Sequence, residues 1–70
     1  MKKNLDLHGI KHEFADNMIE DFILLTKPPF TIITGNSLIM RNKSLDLLNK
    51  YDFKWMIPSY NLGQIVVTGF

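Results

Sequence analysis

The chain has 70 residues, with eight Lys and Arg against seven Asp and Glu for a formal charge of +1. A domain of this size buries only about 60% of its unfolded surface, which excludes a second domain and a large enclosed pocket. Hydrophobic residues at 46% and charged residues at 21% exclude disorder, and the near-neutral sum excludes a grip on nucleic acid through overall charge alone.

The absence of cysteine removes disulfides, thiolate metal sites and thiol nucleophiles, so the core must hold the fold alone. The longest apolar run, Phe22 to Leu25, is far too short to span a bilayer. Met1, Lys2 and Lys3 are basic, but the residues after them are not the apolar stretch of a signal peptide. A cytoplasmic protein without membrane partners is expected.

Residues 5–8, Leu-Asp-Leu-His, alternate apolar and polar and predict a strand with one buried face, stopped by Gly9. Residues 11–26 change to a helical period, with Phe14, Met18, Phe22 and Leu25 as the apolar stripe and Ala15 and Ile19 beside it. Pro28 and Pro29 forbid continuation. Residues 30–34 are β-branched and aromatic and predict a second strand, parallel to the first as in a βαβ unit. A turn at Gly35-Asn36-Ser37 leads to a second helix carrying Leu45 and Leu48. Ser37 can cap a long form of that helix and Ser44 a short one; a start near residues 39–41 is expected. Phe53, Trp55 and Ile57 alternate with Lys54 and Met56 as a third strand, and residues 64–68 form a fourth, joined to it as a hairpin. The order βαβαββ with only two helices predicts an α/β two-layer sandwich: a four-stranded mixed sheet, with both helices on one face. Residues 1–70 form this single domain.

If Leu5 and Leu7 face the helices, Asp6 and His8 face the open side, at the C-terminal end of their strand. Ligands of parallel α/β units gather at that end. The second strand ends there too, with Thr34, Gly35, Asn36 and Ser37 opening a helix, a turn type whose free N–H groups suit phosphate. Lys11 and His12 open the first helix nearby, and Arg41 and Lys43 follow in the second. Each feature also has an ordinary reading. An Asp–His pair on a strand is commonly solvated surface, most Gly turns bind nothing, and Trp55 shares the parity of a core residue. His8, His12 and Asp6 could ligate a metal but lack a fourth obvious partner.

Taken together, Leu5-Asp6-Leu7-His8-Gly9, the following Glu13-Phe14-Ala15 helix and the strand ending Thr34-Gly35-Asn36-Ser37 resemble the Smr (small MutS-related) domain family. Its signatures are LDLHG and, some 25 residues on, TGxG or HGxG. The resemblance covers about residues 4–69. It implies the βαβαββ sandwich also found in the C-terminal domain of the third bacterial translation initiation factor. It further implies a nuclease or nucleic-acid-binding module, with Asp6 and His8 in cleavage and Thr34, Gly35 and Asn36 engaging substrate. The sequence departs from the family where Ser37 replaces the second glycine of TGxG.

The expectation is therefore a small endonuclease that cuts RNA in preference to DNA. Asp6 and His8 are its catalytic residues. Gly9, Lys11, His12, Thr34, Gly35, Asn36, Ser37, Arg41 and Lys43 are its nucleic-acid contacts. A divalent metal ion stays open as a cofactor, and the ribosome or a delivering protein as a partner. The chain is expected to be a monomer rather than a dimer. The alternatives are a non-catalytic nucleic-acid- or ribosome-binding module, or a subunit that dimerises through a sheet edge beside the fourth strand.

Overall fold

The computed structural model describes residues 3–70; Met1 and Lys2 of the basic start lie outside the described residues. The elements run β1 (Asn4–Asp6), α1 (His12–Leu25), β2 (Phe30–Ile33), α2 (Leu38–Lys50), β3 (Lys54–Met56) and β4 (Gln64–Gly69). One mixed sheet has the order β1-β2-β4-β3, parallel between β1 and β2 and antiparallel elsewhere. The fold is the two-layer α/β sandwich. Alternating residues of the strands (Phe30, Ile32, Ile65 and Val67) join Ala15, Ile19 and Ile23 of α1 and Met40 and Leu48 of α2 in one buried cluster. Strand β4 lies between β2 and β3, so it offers no free edge to a second copy. The edges are β1 and β3.

The helix faces differ from the expected ones. In α1 the buried stripe is Ala15, Ile19 and Ile23, whereas Phe14 is 57% and Leu25 86% exposed. The apolar arc of this helix is wide, and the large side chains at 14, 18 and 25 mark its flank, not its centre. A small residue at the centre, Ala15, lets the helix approach its neighbours closely. Helix α2 takes the long form. Ser37 is its N-cap, with Oγ accepting from the Met40 N–H at 3.2 Å. Ser44 is fully buried inside the helix, its hydroxyl donating to the Met40 carbonyl at 2.8 Å. Its C-terminus closes as a Schellman motif: the Phe53 N–H reaches the Leu48 carbonyl, the Asp52 N–H reaches that of Asn49, and Asp52 takes a φ of 61°.

The two ends of the sheet are built differently. At the end where β2 begins, Phe22 and Phe30 pack edge to face at 5.2 Å, Phe30 and Phe53 at 5.8 Å, and Phe53 and Phe70 lie 4.9 Å apart. Such pairs add about 0.5–1.5 kcal/mol each beyond burial. At the other end, glycine turns follow β1 and β2 in place of bulky side chains. The rigid aromatic end thus leaves the polar end free to carry a site.

Candidate functional site

The first strand stops sooner than its alternation suggests. Leu7 continues the ladder by donating its N–H to the Ile33 carbonyl at 2.9 Å and is buried, but His8 already belongs to a turn. That turn closes with the Ile10 N–H on the Leu7 carbonyl at 3.1 Å. Gly9 sits in it with a φ of 75°, a conformation costing an ordinary L-residue roughly 1–2 kcal/mol. Asp6 sets the start of the turn: its Oδ1 accepts the His8 backbone N–H at 2.8 Å. The carboxylate thus holds the main chain of His8, and no hydrogen bond joins it to the imidazole.

The second turn is pinned from outside. Both the Thr34 and the Gly35 N–H groups donate to the Gly63 carbonyl, at 2.9 and 3.1 Å. Gly35 has a φ of 61°. A Cβ on Gly63 would stand 3.1 Å from the Gly35 Cα and 3.2 Å from its carbonyl oxygen, so the two backbones touch because Gly63 lacks a side chain. Asn61 holds this partner loop with its Oδ1 on the Gly63 N–H at 3.0 Å. The Gly35 N–H is therefore spent internally, and the anion donors left in this turn are the N–H groups of Asn36 and Ser37. Ser37 has φ −82° and ψ 113°, which any residue adopts, so its place in the motif does not require glycine.

Between the two turns lies a hollow of about 220 Å³. His8, Gly9 and His12 line it from one side, and Thr34, Gly35, Asn36 and Ser37 from the other. Leu7, Ile10 and Met40 complete it. It is smaller than the roughly 300–1,000 Å³ of pockets for drug-sized ligands, which suits a phosphodiester better than a whole cofactor. Both helices begin at its rim. The N-cap of α1, Lys11, supplies no side-chain bond, and its carbonyl accepts the Phe14 N–H at 3.0 Å. No carboxylate is among its lining residues.

The remaining residues singled out in the sequence lie elsewhere. Asp6 is exposed on β1, is not among the residues lining the hollow, and bonds the His8 main chain. Lys11 borders a separate shallow depression with Ile10, His12 and Glu13. Arg41 donates through Nη2 to the Leu62 carbonyl at 2.6 Å, bracing the loop that carries Gly63. Lys43 pairs with Asp16 at 2.9 Å, joining α2 to α1. These two cations serve the scaffold and are not among the residues that line the hollow. Gly63 and Asn61, which fix the Gly35 turn, had no signal in the sequence beyond their turn composition. Among the described residues, no three His, Asp or Glu side chains gather closely enough to hold a metal ion.

No family model, curated protein or solved structure matches this chain. Function rests on the site itself. Among the described residues, no helix is long and apolar enough to cross a membrane.

Proposed function

We propose that the chain is a small Smr-like endonuclease that cleaves single-stranded RNA at the hollow between the Gly9 and Gly35 turns. The observation that carries this reading is the convergence there of His8, two glycine turns and two helix N-termini around a space of phosphodiester size. The Asn36 and Ser37 N–H groups hold the phosphate and the charge that develops on it. The His8 side chain, free of hydrogen bonds among the described residues, moves a proton at the reacting oxygen. Asp6 fixes the turn that presents His8. With Arg41 bonded to Leu62 and Lys43 paired with Asp16, the grip on a phosphate chain is weak and salt-sensitive. A cytoplasmic setting and delivery by the ribosome or another protein fit such a grip.

Incubation with labelled single-stranded RNA and DNA, with and without EDTA, tests the reading. RNA is cut, and His8→Ala lowers cutting by at least about a hundredfold. No cleavage of either substrate, or equal cleavage by the wild type and His8→Ala, overturns the catalytic claim and leaves the non-catalytic binding module in its place.

A further inference from the structure

Two histidines line the hollow, and the reading above uses only one. His8 reaches it from the turn after β1 and His12 from the first residue of α1. Neither imidazole enters a hydrogen bond or an ion pair among the described residues, in contrast to Arg41 and Lys43. Both are exposed, so both nitrogens of each ring are available to a bound substrate. Lys11 and Glu13 flank His12 in sequence, Asp6 holds only the His8 main chain, and no carboxylate lines the space between the rings. The residues lining that space thus include two proton carriers together with Asn36 and Ser37.

We propose that His8 and His12 form an acid–base pair for transesterification of RNA, with His12 as the second catalytic residue. This rests on the hollow being the cleavage site. One neutral imidazole takes the proton of the ribose 2′-OH as the 2′ oxygen bonds to phosphorus. The P–O5′ bond breaks, and the other ring, protonated beforehand, gives its proton to the leaving 5′ oxygen. The products are a 2′,3′-cyclic phosphate and a 5′-hydroxyl. One proton has passed from one histidine to the other through the reaction, and solvent exchange resets both. Neither water nor a metal is consumed. Two groups in opposite protonation states account for work that one imidazole cannot do alone in a single step.

The test uses the full chain and an RNA oligonucleotide with a single ribonucleotide in a DNA background, its products resolved by end chemistry. His12→Ala and His12→Asn, at an exposed helix start, leave thermal unfolding within a few degrees of wild type. Both lower kcat by at least about a hundredfold, the usual scale of one acid–base group, with KM little changed. The bell-shaped pH profile of the wild type loses one limb in the His12 variants and the other in His8→Ala. A 5′-bridging phosphorothiolate, whose sulfur leaves without a proton, rescues the variant lacking the acid and not the other. Cleavage by His12→Ala within about threefold of wild type, or products without a cyclic phosphate, overturns the pair. Absence of cleavage by the wild type overturns instead the endonuclease reading on which it rests.

Discussion

The carboxylate of Asp6 accepts the backbone N–H of His8 at 2.8 Å, so the acid of the Leu5-Asp6-Leu7-His8-Gly9 motif organises a turn, and His8 lines the hollow. An amide oxygen can accept the same bond. Asp6→Asn therefore keeps the turn, unfolding within about 0.5 kcal/mol of wild type and retaining most RNA cleavage. Asp6→Ala loses an exposed, charge-assisted bond worth about 1 kcal/mol, and its cleavage falls with the turn. Urea unfolding and initial rates of the two variants check this. Activity lost equally in both would instead place the negative charge in the chemistry.

The contact between Gly63 and Gly35 gives a second expectation. A Cβ at position 63 meets Gly35 backbone at 3.1 and 3.2 Å, and backbone yields poorly. Gly63→Ala should cost about 1–3 kcal/mol, the range for overpacking, and weaken RNA binding by displacing Asn36 and Ser37. Gly35→Ala meets no neighbour within 4 Å but must hold a φ of 61°, costing roughly 1–2 kcal/mol. Melting curves paired with filter binding of RNA separate the two. A Gly63→Ala protein as stable and as tight-binding as wild type would contradict the close packing.

Ser37 tests the departure from TGxG. Its hydroxyl caps α2 at the Met40 N–H, so Ser37→Ala should lose about 1 kcal/mol and Ser37→Gly only a few tenths. Since its φ is −82°, a glycine at this position relieves no strain. Cleavage by Ser37→Gly is expected within about twofold of wild type, because the main-chain N–H proposed to hold phosphate is unchanged. A large gain on Ser37→Gly would mean that the side chain obstructs substrate.

The link between the helices predicts an alkaline limit. Tyr51 donates its hydroxyl to Glu20 Oε2 at 2.7 Å. That bond to the carboxylate, then burial and the Glu20 charge, raise the phenol above its usual 10.0, against the opposing effect of Lys50. An acid whose folded-state value is raised contributes stability below its unfolded value and loses it as pH climbs through the folded one. Wild type should therefore exceed Tyr51→Phe in urea midpoint at about pH 8, and the gap should close above about pH 10. A gap that persists at high pH would show that the hydroxyl's bond to Glu20 is not its source.

The local elements of this protein were legible because they depend on neighbours in sequence. Prolines stopped α1, β-branched runs made β2 and β4, and a βαβ unit with short links left one compact layering. Ser37 and Ser44 were both candidate caps, and only burial of Ser44 against Met40 and Leu48 chose the longer helix. The stripe of α1 was misplaced because a wide apolar arc shows hydrophobic period without showing which azimuth meets the sheet. Packing against β2 and α2 put Ile19 and Ile23 inward and left Phe14 outside.

The site divides along the same line. From the sequence alone came a domain of 70 residues, two glycine turns at one sheet edge, and an acid and two histidines near them. Turn conformation and strand order are local or nearly so, and side-chain chemistry is given by residue type. Only the tertiary structure decided which groups remain free. Arg41 and Lys43 are engaged by Leu62 and Asp16, the Gly35 N–H by Gly63, and Asp6 by its own turn, while His8 and His12 reach one hollow. The pairings of Arg41, Lys43 and Gly35 join residues far apart in the chain, and the sequence carries no distance between them until the core closes.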